Sequence, residues 1–393
     1  MDNKNKNFTL LVLGMMAFLA NGDNYAAASL ISNISKDLGL SVSTAAVSVT
    51  AYMMAFGIFT LLFGPLSDRF GKVMVINTAA IGTAVFSMLG ATAFNLQSLV
   101  IFRAMNGLFG AGIFPVTMAL VGEMFDDKNR QSALGKVMGL AYLGGATATA
   151  IGGAIAYFGS WRMVYLVYGI GEFALAMAML RLLQHDKPVV KELKLFASYK
   201  HATTNFRFMR LVAMLFFVGF TVLGTFTYTG IFIMERTGLN VLVVGLILSM
   251  YGIGTVYGGR IASEMRTRLK NGFLVTAGAI GFVSLTIISL SHQVIGFALG
   301  LFGFGIAFIL LQSTLIATAQ QKLPAMKGTA MSLAAFNMFL GAAVGTSVNG
   351  HLMNITNTST VFSIAAFVIL GVGVLAAVFV SGFGMRKRIA SKA

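Results

Sequence analysis

Apolar runs of similar length follow one another along the chain, separated by short polar connections. They lie at roughly 8–31, 44–66, 73–94, 97–121, 132–157, 162–183, 211–234, 241–262, 272–290, 294–318, 329–353 and 361–383. Each is close to the ~20 residues that a helix needs to cross the hydrocarbon core. Backbone N–H and C=O groups must pair internally in lipid, and no period-2 alternation is present, so the runs predict helices and not barrel strands. The expectation is an all-α membrane protein with twelve transmembrane helices. The first run is too long for a cleaved signal sequence and is read as the first helix.

The longest polar stretch, Gln184 to Met209, divides the runs into two sets of six. This predicts an N-terminal six-helix bundle over 1–183, a cytoplasmic central loop over 184–210, and a C-terminal bundle over 211–393 with a short basic tail. An internal echo supports the division. Gly107-Leu-Phe-Gly-Ala-Gly-Ile113 matches Gly300-Leu-Phe-Gly-Phe-Gly-Ile306 at an offset of 193 residues, which also sets Gly135 on Gly328 and Gly152 on Gly345. Duplicated halves that rock about a midplane site are one known transporter construction.

Composition agrees: 57% of residues are hydrophobic and 10% charged. A net charge of +16 would suggest nucleic acid for a soluble chain. Here topology accounts for it, with no nucleic-acid partner. If both termini are cytoplasmic, Lys4, Lys6, Arg69, Lys72, Lys128, Arg130, Lys136, Arg260, Lys322 and the tail Arg386-Lys387-Arg388 fall inside. Only Lys36, Arg162 and Arg236 fall outside. That is the positive-inside bias of a multi-pass protein in a prokaryotic plasma membrane, its basic groups facing anionic headgroups of the bilayer. With no Cys there is no disulfide or thiolate chemistry.

Ionisable residues inside apolar helices are costly, about 2.5–3.5 kcal/mol each on insertion scales, and mark functional positions by default. Three stand out: Asp23 in helix one, Arg103 in helix four and Glu172 in helix six. Helix one runs outward and helix four inward. Counting rise from the outer ends puts Asp23 and Arg103 at similar depth, where they can meet. A proton or a cationic substrate competing for the Asp23 carboxylate would then couple to transport; the alternative is a permanent ion pair pinning two helices. For Glu172 the alternatives are proton coupling and a silent carboxyl between helices.

The turn Gly64-Pro65-Leu66-Ser67-Asp68-Arg69-Phe70-Gly71-Lys72 packs an acid and two bases between two apolar runs. It resembles the signature between helices two and three of the major facilitator superfamily. Arg103 with Asn106-Gly107 resembles that family's basic motif in helix four. Asp23-Asn24 and Ser160-Trp161-Arg162 are similar to patterns in its twelve-helix drug and metabolite proton-antiport (efflux) branch. The resemblance implies an alternating-access transporter whose turn is a conformational latch: Gly64 and Gly71 allow close approach, and Asp68 faces the start of helix eleven near Thr329. Arg69 and Lys72 would pair with Glu123, Asp126 or Asp127. One motif departs: Gly135, Gly144 and Gly152 keep the efflux branch's helix-five spacing, but Ala148-Thr149 stand where it carries Gly-Pro.

Neutral polar residues supply the remaining candidates. Asn21, Asn24, Tyr52, Asn106, Tyr142, Tyr228, Tyr251, Gln312 and Asn337 can line a substrate cavity of aromatic and amide character. Gly107, Gly135, Gly144, Gly152 and Gly345 are read as helix-packing glycines. The prolines at 65, 188 and 324 are expected in turns. No P-loop is present, so no ATP drive, and the four His lack metal-ligand spacing. No cofactor and no metal are expected. The reading is a monomeric, proton-coupled efflux transporter of a drug-like or small metabolite substrate. A proton-coupled importer of a small organic solute is the alternative, and a membrane-embedded receptor or enzyme a remote one.

Overall fold

The computed structural model describes residues 3–184, 186, 195–323 and 327–390, and within them every regular element is helical. In order these are α1 (Asn3–Asp37), α2 (Val42–Phe70), α3 (Lys72–Ala91), α4 (Leu96–Met124), α5 (Asp127–Phe158), α6 (Trp161–Leu182), α7 (Leu195–Thr204) and α8 (Phe206–Val218). A five-residue π turn, Gly219–Leu223, joins α8 to α9 (Gly224–Thr237). Then follow α10 (Val241–Leu269), α11 (Phe273–Leu290), α12 (Val294–Lys322), α13 (Lys327–Ile355) and α14 (Thr358–Ala390).

Among the described residues, eleven helical segments are long and apolar enough to cross a membrane. The twelfth expected span, within α1, is a continuous helix, yet its Asn21-Gly22-Asp23-Asn24 stretch dilutes its apolar character. Caps set several starts. Ser41 accepts from the Thr44 amide at 3.1 Å, Asn95 and Ser98 form a reciprocal capping box, and Asn205 accepts from the Phe208 amide at 3.1 Å. Each satisfies donors that the first turn leaves open.

Two expectations about turns are corrected. The charged stretch from Gly64 onward is helical through Phe70, Pro65 lies inside α2, and only Gly71 breaks the path. The interval 184–210 is not simply a loop: α7 occupies Leu195–Thr204 and α8 starts at Phe206. Pro188, Pro324 and the basic residues 187–194 lie outside the described residues.

The chain forms two compact units. The first comprises Met1–Leu195 with Leu239–Ser249, the second Phe196–Gly238 with Met250–Ala393. In the first unit Leu13, Met16, Ile76, Ala80, Val116, Val121 and Met179 form an apolar core between α1, α3, α4 and α6. In the second, aromatic rings dominate: Phe232 packs on Phe362 at 4.7 Å and edge-on to Phe297 at 5.9 Å between ring centres. Large side chains such as Ile170, Ile295, Leu299 and Phe367 remain exposed, as lipid-facing positions of a membrane protein do.

Glycines bring backbones together within each unit. A Cβ added at Gly107 would strike the Tyr52 carbonyl, and one at Gly144 the Phe18 carbonyl. In the second unit Gly305 meets the Tyr251 carbonyl, Gly341 that of Phe216 and Gly345 that of Phe220. Gly152 lies against Ala26, with 3.1 Å left for a Cβ. Gly135 is not a packing glycine, because it faces open space, as Gly328 does.

These crossings also correct the repeat. Gly107 and Gly305 do the same job, whereas Gly300 packs on Ile288 and Ser284. α4 and α12 are each 29 residues long and stand 198 residues apart at both ends. The 193-residue offset matched a recurring Gly-Leu-Phe-Gly wording and not the structural register.

Candidate functional site: a buried ionic cluster in the first unit

Four helices of the first unit converge on Arg103. Its Nη1 lies 3.4 Å from Asp23 Oδ1 of α1 and 3.1 Å from Asn106 Oδ1, one turn along α4. Asn106 in turn donates to the Thr83 carbonyl at 3.0 Å and to Thr83 Oγ1 at 3.1 Å, tying α4 to α3. Ser87 donates to the Tyr165 carbonyl at 3.0 Å, tying α3 to α6. The guanidinium carbon sits 4.3 Å from the Tyr52 ring centre and 5.2 Å from that of Tyr165. Two aromatic faces therefore hold the cation while a carboxylate and an amide approach its edge.

The cluster is buried. Asp23 and Arg103 are each 1% exposed and Glu172 and Asn106 are 0% exposed. Its hydrogen bonding is incomplete within the protein: Asp23 Oδ2, Arg103 Nε and Nη2, both Glu172 oxygens and the hydroxyls of Tyr165 and Tyr168 have no protein partner. A single long contact between Arg103 and Asp23 is a weak form of pairing, since a guanidinium is built for two parallel bonds to a carboxylate. Such an arrangement can lose or gain a proton or a ligand without dismantling a strong bridge.

The neutral candidates separate. Tyr52 and Asn106 belong to the cluster, while Asn21 donates to the Ala141 carbonyl at 3.0 Å, joining α1 to α5. Asn24 is buried and Tyr142 partly exposed. Those of the second unit do not converge. Tyr228 donates its hydroxyl to the Thr346 carbonyl at 2.8 Å, and Tyr251 packs at tilted angles among Phe226, Phe304 and Phe308. Gln312 turns to Met338 Sδ, and Asn337 to the Leu333 carbonyl of its own helix.

At the α2–α3 corner, Lys72 Nζ pairs with Glu123 Oε1 of α4 at 2.9 Å. Asp126 accepts from Asn129 at 2.9 Å, the Asp127 side chain lies outside the described residues, and Arg69 packs over Phe70. Asp68 is exposed and makes no hydrogen bond or ion pair among the described residues. The residue that sequence reasoning missed is Asp186, just past α6. Its two oxygens accept the amides of Lys72 at 2.7 Å and Val73 at 3.0 Å, capping α3. Gly71 makes room for it, with φ +91° and only 2.8 Å between a would-be Cβ and Asp186 Oδ1. Tyr165 and Tyr168 were also missed, since aromatic residues at helical spacing read as packing.

On the opposite end, Asp37 at the tip of α1 ties down the start of α6. It accepts from Trp161 Nε1 at 3.2 Å and pairs with Arg162, whose other amino group donates to the Ala93 carbonyl at 2.9 Å. Ser160-Trp161-Arg162 is therefore a structural tie. The Arg162 guanidinium holds the Asp37 carboxyl below the usual carboxylate range.

Residues 13–346 match the model of the Major Facilitator Superfamily. The chain belongs to this superfamily. A Bacillus subtilis MFS-type transporter, YceJ, is 24% identical over 86% of this chain and 87% of its own. The puromycin resistance protein of Streptomyces alboniger is 30% identical over 42% of this chain. That match spans only 32% of the Streptomyces protein, and other curated relatives match over similar fractions. Among solved structures, the nucleoside transporter NupG superposes with a TM-score of 0.77 at 14% identity, covering 95% of this chain and 99% of that one. The fold is that of superfamily transporters, which are not enzymes, and the protein is a multi-pass membrane protein.

Proposed function

We propose that this chain is a proton-coupled secondary transporter of a prokaryotic plasma membrane, working by alternating access and exporting a drug-like or small metabolite substrate. The observation that carries the reading is the buried cluster of Asp23, Arg103 and Glu172, one cation facing two carboxyls. Ionisable groups buried in membrane helices mark functional positions by default, and here several of their polar atoms find no protein partner. In this reading its helices α1, α4 and α6 all cross the membrane, so a change in its protonation acts on several spans together. Export rather than import is favoured by the relative named for puromycin resistance. Asp68, Arg69 and Lys72 act as the latch in this reading, the Lys72–Glu123 pair forming its anchored side.

Import of a small organic solute is the second reading, favoured by Ala148-Thr149 in place of Gly-Pro in α5. Inverted membrane vesicles carrying the protein decide between them. Accumulation of puromycin driven by an acid interior and abolished by a protonophore supports export. Accumulation of sugars or organic acids only in right-side-out vesicles overturns it.

A further inference from the structure

The cluster holds two carboxyls and one guanidinium, so its charges do not cancel. Asp23 is the carboxyl that meets Arg103. Glu172 follows Tyr165 and Tyr168 at i+7 and i+4 on α6, is 0% exposed, and receives no hydrogen bond from the protein at either oxygen. The titratable and charged groups around it are Asp23 from α1, Tyr52 from α2, Arg103 from α4 and Tyr168 from α6. From α3, the neutral Ala84 and Met88 pack against Gly169, three residues before it. Among the described residues, no second cation faces it.

A buried carboxylate without a donor or a counter-ion is the form the interior tolerates least, whereas a neutral carboxyl can itself donate. A group able to relay its proton stands beside it. The Tyr168 hydroxyl, one turn before Glu172, would lie 3.0 Å from a Cβ on Gly22, the neighbour of Asp23. It too has no protein partner.

We propose that Glu172 is the proton-carrying residue of this site, and that Asp23 is the fixed counter-ion of Arg103. With Glu172 protonated the cluster is neutral. Losing that proton leaves one net negative charge inside α1, α4 and α6, which the surroundings resist until water or a cationic substrate reaches it. The proton moves between a Glu172 oxygen and solvent, with the Tyr168 hydroxyl and bridging water as the path, and no covalent bond other than O–H changes. The inference rests on the proton-coupled reading above but is tested apart from transport.

The test is infrared spectroscopy of the full chain in phosphatidylglycerol–phosphatidylethanolamine nanodiscs at neutral pH, reading the C=O stretch of a protonated carboxyl. Wild type is expected to show one such buried band. Glu172→Asp should shift it, Glu172→Gln should remove it, and Asp23→Glu should leave its position unchanged. A band that moves with Asp23→Glu and not with Glu172→Asp overturns the proposal, as does the absence of any band in wild type. Glu172→Asp keeps the test sharp if the glutamine variant folds poorly. A band that follows Glu172 in a protein whose transport ignores protons would sink the coupling reading alone. Coupled transport with a band that follows Asp23 would sink only this assignment.

Discussion

The two units share their backbone crossings and differ in what those crossings enclose. In the first, Gly107 lets α4 pass under the Tyr52 carbonyl beside a buried cation. In the second, Gly305 lets α12 pass under the Tyr251 carbonyl beside packed aromatic rings. At the 198-residue register, Leu301 stands where Arg103 does and Phe304 where Asn106 does. Thr221, inside the π turn, takes the place of Asp23. One architecture thus carries an ionisable core in one copy and an inert aromatic core in the other. Close packing needs only small residues at fixed places, so the chemistry between them is free to diverge.

The comparison breaks most sharply at the cation. Arg103→Met strands Asp23 in a buried interior and should cost about 3–5 kcal/mol, the scale for breaking a buried pair. Leu301→Met, its second-unit counterpart, should cost less than about 1.5 kcal/mol. Thermal unfolding of detergent-purified protein reads both, and equal losses would refute the distinction. The shared crossings come next. Gly107→Val and Gly305→Val should each destabilise by at least about 1–3 kcal/mol, because the obstructing atom is a backbone carbonyl. Gly135→Ala should fall within about 0.5 kcal/mol of wild type in the same melts.

Two smaller effects sharpen the picture of the first unit. Asp186→Ala removes both acceptors from the start of α3, and the expected loss is about 1–2 kcal/mol, again read from unfolding. Asp37 adds a pH dependence. Its folded pKa lies below its unfolded value, so its stabilisation is complete above about pH 4 and fades as pH falls through the folded value. The group is nearly half exposed, so solvent screening keeps this below about 1 kcal/mol. Melts of wild type and Asp37→Asn should converge in acid and separate at neutral pH.

Much of the fold was legible because lipid permits so few backbone solutions. Run lengths alone anticipated the helices, and depth counting placed Asp23 opposite Arg103. Asp186 was not legible: an acid in a basic polar stretch gives no sign that it reaches the far side of Gly71. Tyr165 and Tyr168 were hidden for another reason, since a ring holding a guanidinium and a ring filling a core have the same spacing. The repeat was misread because glycine-rich helix faces reuse the same short wording, while register is set by which carbonyl each glycine must clear.

The account stands or falls on whether the first unit's ionic core links protons to movement of the substrate. Proteoliposomes containing Glu172→Gln, loaded with a transported drug and compared with and without a pH gradient, test this directly. The account predicts that energetically neutral exchange persists while uphill accumulation disappears. Uphill accumulation at the wild-type level would contradict it.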